Sequence, residues 1–242
     1  MNDFTADFEF LKSNLGGGLI VSCQAPVNSP LAKPEIIAAF AETAALNGAV
    51  AVRIDSPTHV SAVRKAVTIP IIGIYKIVLP PSEVYITPLY QSAVEVAESG
   101  ANIIAVDATL RPRPNDEKLS DLCEKINKHL RLPVMADVAT FDEGVHAAEE
   151  LGCAFVGTTL SGYTKQTEHL LDKPDFELIK KLAQRISSPI IAEGRMSSPE
   201  DVRHAFECGA FAVVVGSAIT GIDNQVRRFV AGCRLTAPIS MR

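Results

Sequence analysis

Two short apolar runs in this chain each end on a charge that could do chemistry. Residues 71–76 read IIGIYK and close on Lys76; residues 190–193 read IIAE and close on Glu193. Side chains alternate along a strand, so Lys76 shares a face with Ile74 and Ile72, and Glu193 shares one with Ile191. If the isoleucines fill a core, the lysine and the glutamate stand together at its rim. Burial, or a nearby cation such as Arg53, lowers a lysine's affinity for its proton and makes the neutral amine available as a base. A glutamate in the same pocket could deliver or remove a proton on the opposite face of a substrate, or hold a hydroxyl proton. The pair suits deprotonation beside a carbonyl, where lysine or arginine charge stabilises the developing oxyanion, one well-placed donor being worth ~3–4 kcal/mol. The same lysine would also serve a Schiff-base aldolase, and spacing does not separate the two.

Other apolar runs end in the same way. Gln24, Arg53, Asp107, Asp137, Thr159, Arg195 beside Glu193, and Ser217 each follow a run of strand-forming residues. One charge at a strand end is ordinarily a solvated loop residue; a full set in register points to one shared mouth. Gln24, Arg53, Asp137 and Thr159 are therefore candidate substrate-binding residues. Gly194-Arg195 and Gly216-Ser217 are candidate phosphate-binding turns, because glycine lets backbone N–H groups approach an anion and a following helix start adds partial positive charge. The ligand this implies is a small phosphorylated anion.

The elements that must position these residues repeat. Helices end in similar phrases, NGAVAV at Gly48, SGANII at Gly100, LGCAFV at Gly152 and CGAFAV at Gly209, with glycines 52, 52 and 57 residues apart. Between them TIPIIG, RLPVMA and SSPIIA start the alternate strands at Pro70, Pro133 and Pro189. Four pairs of β/α units predict an α/β fold, a single (β/α)8 TIM barrel; an open doubly wound sheet is the second choice. Strands are expected at 19–21, 50–52, 71–75, 103–106, 134–136, 155–157, 190–192 and 211–215. Helices are expected at about 34–47, 57–67, 89–99, 116–130, 141–152, 174–185, 199–209 and 224–233. Ser198 is expected to cap its helix with Pro199 in the first position and Glu200 and Asp201 in the first turn. Phe4, Phe8 and Leu11 are spaced for a short N-terminal helix closing the barrel bottom, with residues 1–16 as an extension and 234–242 as a frayed tail. The hydroxyl-rich loop around 158–169 is expected to act as a lid over the mouth.

The totals narrow the class. A chain of 242 residues suits one barrel, typically ~250 residues, and no linker divides it. At 47% hydrophobic residues it can bury a large core. A net charge of -5 argues against nucleic acid or anionic membrane as the main partner. No apolar run approaches the ~18 residues of a membrane span. The acidic first residues carry no secretory pattern, so a cytoplasmic location is expected. The five cysteines and five histidines are scattered without ligand spacing, and neither a metal nor a disulfide set is expected.

Five phrases, GGLIVSCQ (17–24), DATLRPRP (107–114), GTTLSGYT (157–164), IAEGR (191–195) and VVVGSAIT (213–220), resemble the N-acetylmannosamine-6-phosphate 2-epimerase family in its order. The resemblance implies a TIM barrel that interconverts N-acetylmannosamine 6-phosphate and N-acetylglucosamine 6-phosphate in sialic acid catabolism, without metal or nicotinamide, as a homodimer. It implies Lys76 and Glu193 as the catalytic pair, with Gln24, Arg53 and Asp137 around the substrate and Gly194-Arg195 and Gly216-Ser217 against its phosphate. Two departures stand out: Ile77-Val78 follow the lysine where the family commonly has Arg-Asp, and Gly221 follows SAIT where an arginine is frequent. Another phosphosugar isomerase, the aldolase, or a barrel that binds a phosphosugar without turnover are the alternatives on the same fold.

Overall fold

The computed structural model describes residues 3–170 and 173–233. Helix α1 (Asp3–Leu15) precedes a regular alternation of strands and helices. The strands are β1 (Leu19–Cys23), β2 (Ala51–Asp55), β3 (Ile71–Ile74), β4 (Ile103–Asp107), β5 (Val134–Asp137), β6 (Phe155–Gly157), β7 (Ile190–Ala192) and β8 (Ala212–Val215). The helices that follow them are α2 (Pro34–Leu46), α3 (Pro57–Ala66), α4 (Tyr90–Glu98), α5 (Leu119–Lys125), α6 (Phe141–Glu149), α7 (Phe176–Arg185), α8 (Pro199–Glu207) and α9 (Ile222–Cys233). Each strand pairs in parallel with the next, and β8 pairs with β1 through Leu19 opposite Val213 and Ile20 opposite Val214. The sheet is therefore a closed TIM barrel, as the period of paired units implied.

Two apolar cores follow from the alternation of side chains. Ile20, Ala51, Ile72, Ile103, Met135, Phe155, Ile191 and Ala212 point inward and fill the barrel. Leu11 and Leu15 of α1 join this inner cluster, and Phe8 packs on Phe155 with ring centroids 5.7 Å apart, so α1 plugs one end. The Phe4 side chain and the tail 234–242 lie outside the described residues. The outward-facing residues, among them Val52, Ile71, Ile104, Val134, Val156 and Val213, meet the helices in a second core.

Local chemistry sets the helix ends. Ser198 and Asp201 form a reciprocal capping box with Pro199 in the first turn, as expected. Thr140 and Glu143 do the same for α6. Of the boundaries that differ from the sequence reading, three have a clear local cause. Strand β2 does not stop at Val52 but continues through Arg53 to Asp55, because Arg53 is fully paired inside the barrel rather than solvated. The helix expected over 116–130 is broken: Asn115 and Asp116 take φ of 56° and 55°, which no right-handed helix admits, so α5 starts at Leu119 and ends in a π turn, Ile126–Leu130. Helix α7 starts at Phe176 because the Asp175 carboxylate accepts from Leu178 N at 3.0 Å, making Asp175 the cap. Helix α9 has no buried residue, so the last unit does not pack against the barrel as the others do.

Candidate functional site

The inward alternation that fills the barrel carries polar residues at its C-terminal end. On β1 it runs Ile20, Ser22, Gln24; on β2 Ala51, Arg53, Asp55; on β7 Ile191, Glu193. These residues meet in a cavity of about 640 Å³. Of the residues expected from sequence, Gln24, Arg53, Lys76, Thr159, Glu193, Gly194, Arg195, Gly216 and Ser217 all line it. Asp137 does not; it lies directly beneath, fully buried.

The floor is an ion-pair network. Arg53 crosses from β2 and holds the Asp137 carboxylate with two hydrogen bonds, Nη1 to Oδ1 at 3.0 Å and Nη2 to Oδ2 at 2.5 Å. Its Nη1 also lies 3.0 Å from Glu193 Oε2. Burial opposes the charge on Arg53, but Asp137 and Glu193 together outweigh it and hold the guanidinium above its ordinary pKa. Room for this pair comes from Gly157: a Cβ there would stand 2.5 Å from Met135 Cε and 3.1 Å from Asp137 Oδ1. The Thr159 hydroxyl sits 2.6 Å from Asp137 Oδ1 and 3.0 Å from Glu193 Oε2. It therefore bridges the two carboxyl groups rather than reaching freely into the cavity.

Lys76 and Glu193 are tuned in opposite directions. Lys76 is exposed at the mouth, yet enough protein surrounds its ammonium for dehydration to lower its pKa below the usual lysine value. Asp55 opposes that shift, Arg53 adds to it, and Glu193 and Asp137 oppose it. Its Nζ donates to Gln24 Oε1 at 2.5 Å, and its backbone N–H donates to Asp55 Oδ1 at 2.9 Å. Burial pushes the Glu193 carboxyl above its usual range despite Arg53 beside it, and the Asp137 charge adds to the rise. The two shifts bring the proton affinities of Lys76 and Glu193 closer together on one cavity.

The two glycine turns form the other side of the cavity. Gly194 and Arg195 take φ of 115° and 60° in succession, turning the chain from β7 across the mouth. The Arg195 guanidinium does not face the cavity freely: Nε donates to Lys173 O at 2.7 Å, Nη1 donates to Ser161 O at 2.6 Å, and the group stacks 5.3 Å from the Tyr163 ring centroid. The 158–169 loop is an internally bonded wall rather than a loose flap. Thr164 and Thr167 bond each other, Gly162 N donates to Thr167, and Ser161 donates to Asp175. Lys165 bonds Glu83, which ties this wall to the loop after β3. Thr159 and Tyr163 are its residues on the main cavity.

Asp107 points inward with the other strand ends but is held by Thr109 at 2.6 Å and Arg111 at 2.7 Å, away from the cavity. Sequence reasoning missed Asp55 and Tyr85, which both line the cavity. Asp55 was legible as the next inward position after Arg53. Tyr85 lies in VYI, an alternating stretch inside a presumed loop, where Val84 and Ile86 are buried and Ile86 bridges Lys76. Among the described residues no group of three or more histidine, cysteine or acidic side chains could hold a metal, and no helix is long and apolar enough to cross a membrane.

Known proteins are similar over most of the chain. Residues 37–234 match the family model described as "Putative N-acetylmannosamine-6-phosphate epimerase". A relative from Thermosynechococcus vestitus, named as a 2-epimerase of that kind, is 51% identical over 95% of this chain and 99% of its own. One of the same name from Synechococcus elongatus is 49% identical over 89% of this chain and 93% of its own. The solved structure of N-acetylmannosamine-6-phosphate 2-epimerase from Clostridium perfringens superposes with a TM-score of 0.87 at 38% identity, covering 91% of this chain and 95% of that one.

Proposed function

The chain belongs to the N-acetylmannosamine-6-phosphate 2-epimerase family, and from that premise we propose that it interconverts N-acetylmannosamine 6-phosphate and N-acetylglucosamine 6-phosphate. The observation that carries the reading is the oppositely tuned pair, Lys76 lowered and Glu193 raised, on one cavity wide enough for a phosphosugar.

The reaction inverts C2, whose hydrogen is acidic only when C1 is an aldehyde, so the hemiacetal opens first. The neutral Lys76 amine takes the C2 proton, becoming an ammonium, and the electron pair moves into the C1–C2 enolate. The positive charges of Lys76 and Arg53 favour the enolate oxygen. Glu193 then gives its proton to C2 from the other face, leaving a carboxylate beside Arg53. Exchange with water resets both groups. Gln24 steers Lys76 by accepting from its Nζ, Asp55 fixes the backbone of the same residue, and Asp137 holds Arg53. The phosphate lies against Gly194-Arg195 and Gly216-Ser217.

Lys76→Ala is the direct test. It should lower kcat at least 1000-fold, consistent with the ~10²–10⁴-fold typical of general acid–base groups, with an unchanged circular dichroism spectrum. A variant keeping a tenth of wild-type activity would remove Lys76 as the base. We place the reaction in sialic acid catabolism in the cytoplasm and the enzyme in a homodimer, whose interface is the exposed apolar stripe of α9.

A further inference from the structure

The cavity has four basic residues on its walls: Arg53, Lys76, Arg195 and Arg228. Three are committed. Arg53 is buried between Asp137 and Glu193, Lys76 is bonded to Gln24, and the Arg195 guanidinium is bonded to the carbonyls of Lys173 and Ser161. The dianionic end of a sugar phosphate would then meet only backbone N–H groups and neutral side chains such as Ser217 unless the fourth cation serves it.

Arg228 stands at that end. It lies on α9, three residues after Gln225, so the two share a helix face. Gln225 Nε2 donates to Ser217 O at 2.9 Å, and Arg228 Nη1 donates to Gln225 Oε1 at 3.2 Å. Gln225 thus joins the guanidinium to the glycine turn after β8. Among the described residues no carboxylate lies within ion-pair distance of Arg228. The acid on the same wall, Asp223, accepts from the Ser29 hydroxyl at 2.9 Å. The turn itself admits no cation: a Cβ on Gly221 would stand 2.7 Å from Ser217 Cα and 2.8 Å from Ser217 O, against backbone. A charge must come from farther along the chain, and the next turns of α9 bring one.

We propose that Arg228 binds the substrate's phosphate, its forked guanidinium pairing with two phosphate oxygens. The proposal rests on the phosphosugar reading above and adds the cation that reading lacks. Arg228 contributes affinity and not chemistry, because the group it holds is the same in substrate and product.

The test compares Arg228→Ala with Arg227→Ala, a neighbour that is also exposed but bonds Asn224 and does not line the cavity. Arg228→Ala should raise KM for N-acetylmannosamine 6-phosphate at least tenfold with kcat within twofold. It should weaken binding of inorganic phosphate, measured by calorimetry, by a similar factor. Arg227→Ala should change neither, and Arg228→Lys should recover part of the loss. Phosphate affinity and KM within twofold of wild type in Arg228→Ala would overturn the proposal. A wild-type protein without epimerase activity would instead refute the functional reading, and the phosphate titration would still decide the role of Arg228.

Discussion

At the residue scale the proposed reaction needs two protonation states held at once. The base must be neutral, so the rate rises with pH through the Lys76 pKa, which lies below the ordinary lysine value. The acid must be protonated, so the rate falls as pH rises through the Glu193 pKa, which lies above the ordinary glutamate value. Both shifts narrow the gap between the two groups and enlarge the fraction of enzyme carrying both correct forms near neutrality. The resulting pH–rate profile is bell-shaped. Glu193→Gln separates the two steps. The amide cannot return a proton, but Lys76 still removes one. In deuterium oxide this variant should exchange the C2 hydrogen of one of the two sugars, the epimer that faces Lys76, while forming product at less than a hundredth of the wild-type rate. Exchange of neither sugar would show that deprotonation itself needs Glu193, and equal exchange of both would place the two proton transfers on a single group.

At the element scale the barrel explains why the site is where it is. Strands alternate, so inward residues beyond the last isoleucine layer gather at one end of the barrel, and the strand ends set Arg53, Asp137 and Glu193 against one another. Helix α9 behaves differently. Ile222, Val226, Phe229 and Val230 recur at helical spacing and are exposed, Phe229 at 78%. Gln225, three residues after Ile222 and four before Phe229, borders this stripe, and Arg228 lies farther round the helix. A second copy covering the stripe would give α9 apolar contacts that it lacks within one chain. Phe229→Asp should therefore raise the dimer dissociation constant at least 30-fold, about 2 kcal/mol at a buried aromatic position, as measured by sedimentation velocity. A wild-type protein that sediments as a monomer at micromolar concentration would contradict the interface. The barrel, its strand count and most helix limits were legible because apolar runs and the helix-ending glycines recur at a fixed period. The break before α5 was not, because it depends on left-handed turns at Asn115 and Asp116, two residues that also suit a helix start. Asp55 and Tyr85 were missed for a related reason: each extends strand-like alternation past the point where a charge or a proline had suggested a loop. The lining role of Arg228 depends on where a helix that buries nothing comes to rest, which no local pattern states.

At the scale of the whole molecule the protein is a closed barrel whose interior is apolar up to one layer and ionic above it. The fully buried Arg53–Asp137 pair sits at that boundary, and the cavity opens directly over it. In the proposed reaction the reacting carbon lies between Lys76 on one wall and Glu193 on another, with the phosphate toward the turn after β8. The most direct test of that arrangement is proton NMR of N-acetylmannosamine 6-phosphate incubated with the protein in deuterium oxide. Transfer from two groups that exchange with solvent predicts N-acetylglucosamine 6-phosphate carrying deuterium at C2 from the first turnover. Product that retains its C2 hydrogen would contradict the two-group mechanism, and the absence of any product would contradict the epimerase itself.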